Sequence, residues 1–177
     1  MTSAEPAISS AVTSIIRAHG CEIERFATRL KSLNSLDRKV QTQKVRFGGD
    51  ADDVVRGIGD VIRYTAVVPD SGYWARGTQI INALIRAGYW PNGLSDGWDK
   101  SSYRGRNCTF FGPTGIEFEV QFHTRDSLAA AEESHADYEV YRDDAVRDDV
   151  RRAEAKLRLD ARFALVPAPN DVRWVDL

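Results

Sequence analysis

Glu117, Glu119, Gln121 and His123 occupy every second position of the stretch Gly115–Thr124, and Ile116, Phe118, Val120 and Phe122 fill the positions between them. Read as a strand, this puts four groups able to carry protons or hold a cation on one face and buries the other. A solvent-facing antiparallel strand alternates in the same way, so both readings stand on pattern alone. Upstream, Arg29 and Lys31 precede Ser32, Ser35, Arg38 and Lys39. A strand that feeds a helix capped at Ser32 or Asn34 and running to about Arg46 gathers those four cations near helix N-terminal amides. That arrangement suits a polyphosphate, a solvated basic helix face being the alternative. Asp60 opens the β-rich run Val61–Val68, where a carboxylate suits a hard cation such as Mg2+, with Mn2+ as a substitute, or simply caps the turn. The segment Lys100–Asn107 offers Tyr103 for stacking on a base and Lys100, Arg104 and Arg106 for phosphate, unless it is only a polar hairpin arm.

The elements that position these groups follow from periodicity. Ile8, Val12, Ile15 and Ile16 predict a helix ending at Gly20, with His19 a surface residue without a catalytic role. Gly48-Gly49-Asp50 breaks the pattern before a short helix over 51–56. Trp74, Ile80, Ile81, Leu84 and Ile85 predict a core helix over 73–87 stopped by Gly88. A short strand over 89–93, a turn-rich stretch from Leu94 to Lys100 and a strand over 108–111 come next. Gly112-Pro113-Thr114-Gly115 is the hairpin turn into the central strand. A helix over 125–142 places Leu128, Ala131, His135 and Tyr138 near one face, His135 being either a core histidine or part of the site. A surface helix from Ala145 to about Phe163, with pairs such as Asp148 and Arg152, precedes an extended tail in which Val172, Trp174 and Val175 dock.

The chain has 177 residues, 42% hydrophobic and 28% charged, which fits one soluble domain with a real core. Its 24 basic and 26 acidic residues give no global field for duplex DNA or an anionic membrane, so any anion site is local. No apolar run reaches membrane-spanning length and no signal peptide is evident. Location therefore stays open between cytoplasmic, exported and delivered as an effector. Cys21 and Cys108 match no zinc spacing and are either free thiols or one disulfide.

Three stretches resemble the synthetase domain of RelA/SpoT-type alarmone synthetases. Arg29-Leu30-Lys31-Ser32-Leu33-Asn34-Ser35-Leu36-Asp37-Arg38-Lys39 is similar to the family's ATP-binding motif, and Asp60 before Val61-Ile62-Arg63-Tyr64-Thr65 is similar to its Mg2+-binding strand. Tyr103 stands in the position of the acceptor-stacking tyrosine, and Glu119-Val120-Gln121-Phe122-His123-Thr124 resembles the family's Glu-Val-Gln-Ile-Arg-Thr strand. The chain departs from the pattern at Arg63 and Thr65, where the family has Gly and Arg, at Ser101-Ser102 for Asn-Gly, at Asn107 for His, and at His123 for Arg.

The resemblance implies an α/β fold of the nucleotidyltransferase-like kind, a mixed sheet of about five strands flanked by helices. One synthetase domain would cover 1–177, with an N-terminal helix over 1–20, a core over 22–142 and a C-terminal helix and tail over 145–177. The implied reaction moves the β,γ-pyrophosphate of ATP to the 3′-hydroxyl of a purine nucleotide, adenine favoured. Mg2+ would sit between Asp60 and Glu119. Arg29, Lys31, Ser32, Ser35, Arg38, Lys39 and Arg63 would bind ATP. The acceptor would meet Lys100, Tyr103, Arg104, Arg106, Asn107, Gln121, His123 and His135. Without the hydrolase and regulatory domains of the large enzymes, the sequence looks like the small stand-alone members and toxin domains, a monomer or small homo-oligomer with an immunity protein as partner if it is a toxin. Guanosine alarmone synthesis, pyrophosphorylation of a tRNA 3′ end and an inactive nucleotide-binding module are the alternatives.

Overall fold

A five-stranded mixed sheet in the order β1-β2-β5-β4-β3 organises the chain. The computed structural model describes residues 5–33, 35–37, 39–41, 60–142 and 148–171. The expected glycine break at 48–50, the short helix at 51–56, Asn34, Arg38 and the tail residues Val172, Trp174 and Val175 lie outside them. β1 (Glu22–Glu24) pairs antiparallel with β2 (Arg63–Val67), and β2 runs parallel to β5 (Glu117–His123). β5 and β3 (Trp90–Asp96) both run antiparallel to β4 (Arg106–Phe111).

The central strand follows the alternation in its sequence. Phe118, Val120 and Phe122 are fully buried, each contributing about 1.5–3 kcal/mol by leaving water. With Cys108 and Phe110 of β4 and Tyr64 and Ala66 of β2 they form one apolar cluster. Helix α1 (Glu5–Ala18) adds Ile8, Val12 and Ile16 to it, and α2 (Tyr73–Arg86) adds Tyr73, Trp74, Ile80, Ile81 and Leu84. α1 ends where Gly20 takes φ +70°, as its sequence predicts. Cys21 and Cys108 are separate buried thiols.

Four expectations change. The first strand is only Glu22–Glu24, because Arg25 turns at φ 55° into a single 3-10 turn over Phe26–Thr28. β3 runs on to Asp96 through Pro, Asn and Gly, which an edge strand with a register shift between Pro91 and Gly93 tolerates. The helix over 125–142 is two helices, α3 (Arg125–Glu133) and α4 (His135–Arg142), parted at Ser134, whose hydroxyl donates back to the Ala130 carbonyl at 2.6 Å. The last helix, α5 (Asp149–Ala164), is not merely a surface helix: Ala155, Leu159 and Phe163 are buried, and Asp148 caps it by accepting the Arg151 N–H. The described tail ends against α2, where the Asp171 carboxylate accepts the Ala75 N–H at 3.0 Å. Among the described residues no helix is long and apolar enough to cross a membrane.

Candidate active site

β2 and β5 bring the two separated acids together. Their parallel register sets Arg63 beside Glu119, and Asp60 lies three residues before Arg63. Arg63 Nε donates to Glu119 Oε1 at 2.9 Å while its Nη2 donates to Asp60 Oδ2 at 2.7 Å, so one guanidinium spans both carboxylates. Lys31 Nζ reaches Asp60 Oδ2 at 2.6 Å and Lys39 Nζ reaches Oδ1 at 2.5 Å. Burial pushes the Asp60 carboxyl up, but the hydrogen bonds and charges of Lys31 and Lys39 outweigh it and hold it at about 2. Lys31 is held below the ordinary lysine range by burial, against the pull of Asp60. Among the described residues three cations thus face two carboxylates, and that surplus of positive charge favours an added anion.

Gln121, expected on the acceptor, donates instead to Glu119 Oε1 at 2.8 Å. Oε1 is engaged by two donors, while Oε2 meets none among the described residues. The donor chemistry fits a hard divalent cation: two carboxylates within one side chain's reach, with further oxygens left for phosphate and water. No cluster of three acidic, His or Cys side chains that could hold a metal ion exists among the described residues.

The basic motif is only partly gathered here. Ser32 accepts the Ser35 N–H at 3.2 Å, and residues 35–37 and 39–41 are helical, as the capping pattern predicts. Arg29 does not share the direction of Lys31. Its Nε donates to Glu5 Oε1 at 2.7 Å and to Ser9 Oγ at 3.1 Å, tying it to α1. Arg38 lies outside the described residues.

On the acceptor side the structure sorts the expected residues. Arg106 shares the parity of Cys108 and Phe110, so it points into the core and not to the face of Glu119. Its guanidinium carbon sits 5.8 Å from the Trp74 ring centre. Arg104 is half-buried, and its Nε is buried with no hydrogen-bond partner among the described residues. Lys100 is exposed, its ammonium 3.4 Å from Ser95 Oγ. His135 is exposed at the start of α4, so the core-histidine reading fails and it does not turn toward the sheet. Tyr103 is half-buried, its ring edge-on to His123 and tilted against Phe163. Asn107 accepts the Tyr103 hydroxyl.

His123 shares the face of Glu119 yet is only 1% exposed, because Tyr103 and the first turn of α3 close over it. Burial, reinforced by the Arg25 charge and opposed by the Arg104 backbone, lowers it to about 4, so it is neutral near pH 7. It therefore cannot offer charge to an acceptor phosphate. Sequence reading misses Glu5, Ser9 and Ser127. Only Ser127 left a local signal, the Thr-x-x-Ser spacing from Thr124 that forms a reciprocal cap on α3.

Comparison with solved structures fixes the fold as that of the RelA/SpoT-type synthetases. The type VI effector Tas1, solved in complex with its immunity protein, is 19% identical over 91% of this chain and 89% of its own, with a TM-score of 0.59. Small alarmone synthetase 1 from Bacillus subtilis, bound to its product pppGpp, is 13% identical over 92% of this chain and 87% of its own, again with a TM-score of 0.59. A GTP pyrophosphokinase family protein from Streptococcus pneumoniae is 13% identical, covers 93% of this chain and 90% of its own, and has a TM-score of 0.53. No family model matches the sequence, and no curated protein matches it.

Proposed function

We propose that the protein transfers the β,γ-pyrophosphate of ATP to the 3′-hydroxyl of a purine nucleotide and releases AMP. The observation that carries this reading is the Asp60–Arg63–Glu119 bridge with Lys31 and Lys39 closing on Asp60. Transfer of this kind needs in-line placement and charge neutralisation more than covalent help. The acceptor oxygen attacks the β-phosphorus, the bond from that phosphorus to the α,β-bridging oxygen breaks, and the bridging oxygen leaves on AMP. Lys31, Lys39 and Arg63 are placed to exchange their carboxylate partners for phosphate oxygens, and Arg29 is close in sequence to join them once it leaves Glu5. Glu119, with Arg63 and Gln121 holding Oε1, presents Oε2 to take the proton of the attacking hydroxyl. Asp60 and Glu119 would hold Mg2+, or Mn2+ in its place, which when bound supplies positive charge to the polyphosphate.

Adenine nucleotides are the first acceptors to test, because the chain departs from the alarmone-synthetase pattern at Asn107 and His123, and both touch Tyr103. A toxin role, with an immunity protein as partner, is in keeping with the likeness to Tas1. The test incubates the protein with Mg2+, γ-labelled ATP and, separately, adenine nucleotides, guanine nucleotides or tRNA. Label is expected in a purine nucleotide, with equimolar AMP released. Glu119→Gln is expected to lose about 100-fold or more while remaining folded. Label in tRNA alone, or in no acceptor, overturns the proposal, and near-normal turnover of Glu119→Gln removes that residue from the chemistry.

A further inference from the structure

We propose that His123 is a positioning residue for the acceptor nucleotide, setting the Tyr103 ring through a one-way chain of hydrogen bonds that runs from Asn107 to the cap of α3. The inference rests on the transferase reading, with Tyr103 as the ring the acceptor base meets. Tyr103 Oη donates to Asn107 Oδ1 at 2.8 Å, so toward His123 Nε2, 3.1 Å away, it accepts. Nε2 then carries the imidazole hydrogen, and Nδ1 accepts from Ser127 Oγ at 2.9 Å. Ser127 Oγ in turn accepts the Thr124 backbone N–H at 3.0 Å, and the Thr124 carbonyl, 3.2 Å away, is a second acceptor for its one hydrogen. With the Ser127 hydrogen on Nδ1, the nearer of its two acceptors, each of Tyr103, His123 and Ser127 gives one hydrogen and takes one, and the chain runs one way.

The surroundings are shaped for this contact. A Cβ on Gly97 would meet the Tyr103 ring at 2.3 Å, and one on Gly105 would meet Tyr103 Oη at 2.8 Å and His123 at 3.0 Å. Only glycine lets the loop close on the two rings, whose centres lie 5.5 Å apart. With its hydroxyl committed inward, Tyr103 offers a base the exposed part of its ring and no hydrogen bond to a base edge. An arginine at position 123 would bring a charge to a fully enclosed position. Two of the departures from the alarmone-synthetase pattern, Asn107 and His123, therefore act on one hydroxyl as a matched pair.

Long-range 1H–15N NMR of the whole protein, which has three histidines, reads the chain directly. The expected spectrum has His123 neutral with its proton on Nε2. A proton on Nδ1 overturns the chain. In kinetics, His123→Asn, which keeps a group near Nδ1 but loses the Tyr103 bond, is expected to raise the acceptor KM about 5- to 10-fold with kcat and the ATP KM within about twofold of wild type. His123→Gln, whose amide reaches the Nε2 position, is expected to restore the acceptor KM to within about twofold. An unchanged acceptor KM in folded His123→Asn overturns the positioning role. Where that variant does not fold, Tyr103→Phe, which removes only the hydroxyl, carries the same expectation and the same refutation. Wild-type protein that transfers to no acceptor sinks the transferase reading, and with it the acceptor role of His123, whereas the NMR spectrum still decides the hydrogen-bond chain.

Discussion

Glu119 and His123 stand four residues apart on the same face of β5, and they live in opposite environments. Glu119 is met by Arg63 and, through that guanidinium, by Asp60 and its two lysines, a junction built from charge. His123 is met by a phenol and a serine, both neutral, and is sealed from water. The first region has surplus positive charge and gains from an incoming anion. The second already has its hydrogen bonds satisfied and gains nothing. In the proposed reaction one strand would divide the work: groups that exchange partners sit at the charged junction, and groups that hold still sit in the enclosed one.

The sharpest way to break this contrast is Asp60→Asn. It keeps the shape but leaves Lys31, Lys39 and Arg63 facing one another without their shared anion. The loss is expected to be about 2 kcal/mol, smaller than for a deeply buried pair because Lys39 and Arg63 remain more than a third exposed and screened. Chemical denaturation measures it. Added pyrophosphate should return part of the lost stability to Asp60→Asn, since it supplies the missing negative charge. A variant as stable as wild type, and indifferent to pyrophosphate, would mean that the cations do not depend on Asp60.

Acid destabilises both regions, each in its own pH window. Asp60 has a folded value of about 2 against 3.8 for the free group, so its stabilisation is present above about pH 4 and disappears only as pH falls toward 2. His123 has a folded value of about 4 against 6.5. Between those values the unfolded chain takes a proton that the folded chain refuses, so stability falls as pH drops from 6.5. The slope approaches about 1.4 kcal/mol per pH unit. Unfolding curves at pH 7 and pH 5 should show this loss in wild type and a smaller one in His123→Asn. Equal losses in the two proteins would remove His123 as the cause.

The difference between the regions also marks what the sequence could and could not tell. Alternation in Gly115–Thr124 correctly assigns Phe118, Val120 and Phe122 to the core, and it places Glu119 on the face where Arg63 and Asp60 meet it. Alternation reports a face, however, and not what lies over it. His123 is enclosed by Tyr103, from the loop before β4, and by Ser127, from the next helix, and neither is visible in a period-two pattern. Arg106 has the opposite fault. The polar composition of Lys100–Asn107 groups it with a loop, although it belongs to β4, where its parity turns it into the core beside Trp74. The strand expected over 89–93 stops at Gly93 because Leu94 to Lys100 reads as turn-rich, whereas β3 runs on to Asp96 as an edge strand with an irregular register.

Arg29 is the residue whose partner no local pattern could supply, since Glu5 lies 24 positions earlier, and it gives the gentlest test of the contrast. In this structure Arg29 belongs to neither region. Its guanidinium is shared between the Glu5 carboxylate and the Ser9 hydroxyl, and that hydroxyl also meets the phenol of Tyr64 in the core at 2.9 Å. If Arg29 joins Lys31 and Lys39 on phosphate, it must first leave Glu5, and the cost of leaving is carried by the ATP affinity. Glu5→Gln keeps an oxygen for Arg29 and removes the charge that competes with phosphate. The expected result is an ATP KM lower by about two- to threefold with a slightly lower melting temperature, because the Arg29–Glu5 pair is still partly exposed and a pair of this kind contributes about 1 kcal/mol. The acceptor KM should not move, since nothing in the Tyr103 region touches α1 through this pair. An ATP KM that stays at the wild-type value would place Arg29 with the fixed, structural part of the molecule, leaving Lys31, Lys39 and Arg63 to meet the phosphates.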